Sequence, residues 1–175
     1  MKKVSALIVT ILIFVMYRPR IVHAFTFEPS DVLPGDVLFS PVGKRESKYV
    51  GHIGIVTTDK KVLHSIPAGL MKDEPDAYKR KFRKIAHYRP YEQGTGLRSA
   101  AFAEDLYHRH PEALYRIHAP LNGPCDIQYC TKIVWQSYYA AGINLGALSE
   151  KARAVHPLRL LDDTSLYPLK RRSNR

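Results

Sequence analysis

Residues 51–66 read Gly-His-Ile-Gly-Ile-Val-Thr-Thr-Asp-Lys-Lys-Val-Leu-His-Ser-Ile: two short β-rich runs on either side of a polar turn. His52 to Thr57 and Lys61 to Ile66 predict an antiparallel hairpin, and that pairing constrains the rest of the chain. Side chains alternate along a strand, and opposed residues share a face. Because 52 and 64 are both even, any pairing whose partners sum to an even number puts both imidazoles on one face. A three-residue loop at Thr57–Asp59 would pair Val56 with Lys60 and set His52 opposite His64, with Cβ atoms about 5 Å apart. A five-residue loop would leave the two diagonal on the same face, and an even loop would separate them. Gly51 and Gly54 remove bulk beside His52, and a strand histidine between glycines contributes little packing.

The second constraint is Cys130, which precedes the strongest helical pattern in the chain. Thr131 to Ala141 carries apolar residues at helical spacing, and Gly142 suits the position after its end. As a small buried residue on a core helix, Cys130 would need no chemical explanation. At a first turn it meets unpaired N–H groups whose partial positive charge favours the thiolate and can hold an oxyanion. A histidine brought beside it supplies a base, so His52 and Cys130 are candidate partners and His64 the candidate group that positions His52. A zinc site made of His52, His64 and Cys130 is chemically possible but has no adjacent carboxylate, unless Asp36 approaches in space. The remaining histidines, His87 included, have no such context.

Elsewhere Pro34-Gly35-Asp36 is a turn signal before a strand at Val37–Phe39. Gly43–Ser47 and Ala68–Asp76 read as loops, and 78–89 fits either a helix or a basic strand. Ser99–His108 has helical spacing, Tyr115–Ile117 reads as a strand, and Asn122-Gly123-Pro124 as a loop leading to Cys130. The leucines of 156–169 predict a segment wrapped across the core. This is the pattern of one α+β domain.

The N-terminus reads as a targeting segment. Met1-Lys2-Lys3 precedes an apolar run from Val4 to Tyr17, and Val22-His23-Ala24 offers a cleavage site. We expect a signal peptide at 1–24, a domain at 25–169 and a basic tail at 170–175. Retention of the N-terminal segment as an anchor is the other reading, because Arg18 and Arg20 oppose translocation. Removing Lys2, Lys3, Arg18 and Arg20 from the 27 basic residues leaves 23 against 16 acidic ones, a net charge of +7. Export makes nucleic acid a poor partner. An anionic wall polymer or membrane surface suits the charge better, and a monomer is expected. Cys125 and Cys130 could close a short disulfide in an oxidising compartment, or remain free.

Taken together, Pro34-Gly35-Asp36-Val37-Leu38, Gly51-His52-Ile53-Gly54-Ile55-Val56, Val62-Leu63-His64-Ser65 and Tyr129-Cys130-Thr131-Lys132-Ile133-Val134 resemble the circularly permuted branch of the NlpC/P60 papain-like superfamily. The YiiX-like and lecithin:retinol acyltransferase-like groups belong to that branch. The likeness spans roughly residues 31 to 167 and rests on the order of short motifs. It implies a permuted papain-like fold, with an antiparallel sheet packed against a cysteine-bearing helix. It also implies Cys130 as nucleophile, His52 as catalytic histidine and His64 as the polar third residue, where many YiiX-like members have glutamate. No cofactor is implied. The expected activity is that of a secreted cysteine hydrolase cleaving an amide, in a peptide or cell-wall peptide. An acyltransferase or lipid-directed hydrolase on the same site, and a wall-binding module without turnover, are the alternatives.

Overall fold

The central strands contain too many apolar residues for a sheet with one wet face, and both of their faces are covered. Val37–Ser40 and His52–Val56 are buried at every position. The structure is a computed structural model that describes residues 27–43 and 51–169. The expected signal peptide, the basic tail and most of the Gly43–Ser47 loop lie outside the described residues.

The strands among the described residues are β1 (Val37–Ser40), β2 (Val42–Gly43), β3 (His52–Val56), β4 (Val62–Ile66), β5 (Gly69–Asp73), β6 (Phe82–Arg83), β7 (Ala86–Pro90), β8 (Leu114–Tyr115), β9 (Ile127–Gln128) and β10 (Leu166–Pro168). Six of them form one antiparallel sheet in the order β10-β7-β1-β3-β4-β5. Two short ladders, β2 with β6 and a parallel β8 with β9, lie outside it. The helices are α1 (Pro75–Lys81), α2 (Gln93–Arg109), α3 (Cys130–Ala140) and α4 (Leu158–Leu161). The molecule is therefore α+β, with an antiparallel sheet and helices.

Strand parity divides the core. Val37, Phe39, Ile53, Ile55 and Leu63 pack with Ala103, Leu106, Ile133, Val134, Trp135 and Tyr138 of α2 and α3. Leu38, Val56 and Val62, on the other face, pack with Phe27, Val32, Tyr78, Phe82 and Ile85. Tyr138 ties the helical layer to the β1 turn, its hydroxyl donating to the Gly35 carbonyl at 2.6 Å.

Several elements differ from the sequence expectation. Val56 pairs with Val62, so five residues separate the strands rather than the three of Thr57–Asp59. Lys60 takes a left-handed φ of 62° at the tip, and Thr57 closes the turn by donating its hydroxyl to Asp59 Oδ1 at 2.6 Å. The stretch expected to be a loop at Ala68–Asp76 is instead strand β5 and the start of α1. Its alternation is weak because β5 lies at the sheet edge with three half-buried positions. The ambiguous 78–89 stretch contains all three kinds of structure: the end of α1, then β6, a bend and β7. Helix α2 begins six residues before Ser99, running through two glycines that a sequence pattern penalises. Gly96 is required there by packing, since a Cβ would lie 2.9 Å from both the Pro34 carbonyl and Pro90 Cγ. The 156–169 segment does cross the core, and its last residues supply the edge strand β10.

Candidate active site

The hairpin sets up the site. With Val56 paired to Val62, His52 and His64 are diagonal neighbours on one face, within reach of each other's rings. Their ring centroids are 4.9 Å apart and the planes nearly perpendicular, with His52 Nε2 3.0 Å from His64 Nδ1. Gly54 makes room for this: a Cβ there would sit 2.9 Å from Val62 Cγ1 and 3.3 Å from His64 Cβ.

The chain of contacts continues onto the next strand. His64 Nε2 is 2.9 Å from Asp73 Oδ2 at the end of β5. Lys81, at the end of α1, donates to both oxygens of that carboxylate at 2.7 Å. Sequence reading missed Asp73 and Lys81, because their approach depends on β5 being a strand and on α1 folding back over it. Asp36, the carboxylate considered for this role, is engaged elsewhere. Its Oδ2 lies 2.6 Å from His87 Nε2, and Arg89 donates to both of its oxygens. His87, read as a histidine without context, thus contacts the buried Asp36 carboxylate that Arg89 pairs with.

Aromatic rings seal the histidines from water. Phe82 stacks on His52 with centroids 4.3 Å apart, and the Tyr78 ring lies 5.2 Å from that of His64. Burial, with the neighbouring His64, holds the His52 imidazole well below the ordinary histidine pKa, so it is neutral at neutral pH. Desolvation pushes the Asp73 carboxyl up, but the bonds from His64 and Lys81 outweigh it and the net shift is downward.

Cys130 approaches from the helical face. It is the first residue of α3, after Tyr129 in an extended conformation at the cap. The thiol lies 3.9 Å from Thr131 Oγ1, and the backbone N–H groups of Ile53, the residue after His52, and of Thr131 and Cys130 itself are near enough to favour its thiolate. The structure thus brings Cys130 to the start of β3. It forms no hydrogen bond to His52, whose Nδ1 is without a hydrogen-bond partner among the described residues. The expected lowering of the thiol pKa is overturned. Burial raises it, and the helix-start N–H groups only partly offset that rise. Cys125 and Cys130 are both free thiols, so the short disulfide does not form.

The lead-in to Cys130 is held by side chains of α3 itself. Buried Lys132 donates to the Pro124 and Ile127 carbonyls at 2.8 and 2.6 Å, and Gln136 donates to the Gly123 carbonyl at 3.0 Å. Burial depresses the Lys132 ammonium to about 8. A lysine two residues beyond a cysteine looks solvated in sequence, and only the tertiary fold turns it inward.

No protein-family model and no curated protein matches the chain. Among solved structures it is similar to one described as the crystal structure of metalloprotein YiiX from Escherichia coli O157:H7, DUF1105. The TM-score is 0.56 over 78% of this chain and 95% of that one, at 17% sequence identity. The fold is YiiX-like. A likeness at this identity concerns the backbone alone, so the metal in that description is tested against the side chains here. Among the described residues no group of three or more histidines, cysteines or carboxylates is arranged to hold a metal ion. His52 Nε2 and both nitrogens of His64 are already committed to each other and to Asp73. These residues do not fit a metal centre.

Proposed function

We propose that this chain is an exported cysteine hydrolase with a permuted papain-like fold, cleaving an amide bond in a peptide or cell-wall peptide. The observation that carries the reading is the buried pair His52–His64 beside the stretch of β3 whose Ile53 N–H is near enough to favour the Cys130 thiolate. The Cys130 thiol and the His52 imidazole both rest uncharged, which suits proton transfer at the moment of attack rather than a stored ion pair. His52 Nδ1 takes the thiol proton as Sγ attacks the substrate carbonyl. The N–H groups at the start of α3 hold the oxyanion. Collapse breaks the C–N bond, and the amine leaves with the proton from His52. Water, giving a proton to His52, then hydrolyses the thioester and frees Cys130. His64 keeps the His52 ring in place. Acyl transfer to an acceptor other than water would share every step but the last, so product analysis separates the two.

The test is trapping. Cell-wall peptides, other peptide amides and lipid esters are incubated with the protein, quenched in acid and weighed intact. An acyl adduct that maps to Cys130 and is lost in Cys130→Ala and His52→Ala is expected, with residual turnover in His64→Ala. A Cys130 adduct formed from lipid esters alone would replace the amidase reading by the lipid-directed one. The absence of any adduct with all three classes would leave a binding module.

A further inference from the structure

The chain of contacts from His52 ends in a group that can face only one way. We infer that Asp73, held by Lys81, is a positioning residue that sets the proton arrangement of both histidines. The inference rests on the reading of His52 as base and Cys130 as nucleophile.

An ionised carboxylate has no proton to give, so Asp73 accepts and His64 Nε2 carries the hydrogen. In the inferred arrangement His64 is neutral, with its one N–H given to Asp73 and a lone pair on Nδ1. It accepts in turn, which puts the single hydrogen of neutral His52 on Nε2. Nδ1 of His52, the nitrogen with no partner among the described residues, is left with the lone pair. Two links thus carry the direction of one carboxylate from the edge strand to the centre of the sheet. Lys81 secures the origin, contacting both oxygens at 2.7 Å and keeping Asp73 ionised although only 8% exposed.

Lys81 also makes the inference testable with a nearly isosteric change. In Asp73→Asn the ammonium can only donate, so it draws the amide oxygen and turns the NH2 toward His64 Nε2. His64 must then carry its hydrogen on Nδ1, and His52 on Nδ1 as well, where it can no longer accept the thiol proton. Adding Lys81→Met releases the amide to rotate, so that its oxygen can again accept from His64. The second substitution should therefore rescue the first, which a purely structural role for Asp73 would not produce.

Long-range ¹H–¹⁵N spectra of the imidazoles give the proton positions without any substrate. We expect a lone pair on His52 Nδ1 in the wild type, a hydrogen there in Asp73→Asn, and a return to the lone pair in the double variant. Iodoacetamide labelling of Cys130 at pH 7 should fall by about 10²-fold or more in Asp73→Asn and recover at least in part in the double variant. A cationic His64 would donate from Nδ1 and put the hydrogen of His52 on Nδ1, and finding that hydrogen in the wild type would overturn the inference. So would unchanged His52 and His64 proton positions in a folded Asp73→Asn protein. His52→Ala distinguishes the underlying reading. If it labels as fast as wild type while the proton positions switch as stated, Asp73 sets the histidines but His52 is not the base for Cys130.

Discussion

At the scale of single residues, the charge states of His52 and Cys130 decide how the site works. A papain-like ion pair would need a thiol more acidic than its imidazole partner. Here burial pushes the thiol above its ordinary value and the imidazole below, so the uncharged pair is the resting state across neutral pH. Cys130 labelling should accordingly have a plateau through neutral pH, where His52 assists. It should fall only well below the ordinary histidine range, as His52 protonates, and rise only on the alkaline side of the ordinary thiol range, as the free thiolate appears. In His52→Ala the plateau should vanish, leaving a rise of about tenfold per pH unit. A wild-type curve as steep as that of the variant would remove His52 from the reaction. Sequence could nominate both residues by type and context. The sign of the thiol shift was not legible, because the competing N–H groups and the burial come from elements joined only in three dimensions.

At the scale of the element, the β3–β4 hairpin does what its parity required, with a longer loop than the three-residue alternative. Only an even register puts both histidines on one face, and five intervening residues make them diagonal. One residue inserted after Asp59 should slip β4 by one position and turn His64 to the helical face. Loss of the two-histidine coupling in the imidazole spectra, in a chain that still folds, is the expected result. Retention of that coupling would mean that the loop absorbs the insertion without moving the strand. Helix α3 was equally legible from its spacing. Strand β5 was not, since a half-exposed edge strand with Gly69 and Lys72 lacks the alternation that marks a strand, and Asp73 was hidden with it.

At the scale of the whole molecule, the last described residues complete the sheet. Leu166 enters the core next to Leu160 and Leu161 while β10 pairs with β7 at the edge opposite the candidate site. Leu166, 5% exposed, should cost about 2–4 kcal/mol as Leu166→Ala, while Leu158, 40% exposed, should stay within about 0.5 kcal/mol as Leu158→Ala. Urea denaturation compares them, and equal losses would place the tail outside the cooperative core. The sequence by itself determined the α+β class, a hairpin carrying His52 and His64 at positions that share a face in any odd-loop register, and a cysteine opening a helix. These follow from local periodicity and parity, which neighbouring residues carry. The register itself was decided by the structure. Tertiary structure alone decided that Asp73 rather than Asp36 meets His64, that Lys81 anchors it, that Phe82 covers His52 and that Lys132 turns inward. Those contacts join residues through strand order and helix docking. Buried pairing across elements leaves no periodic trace in the chain.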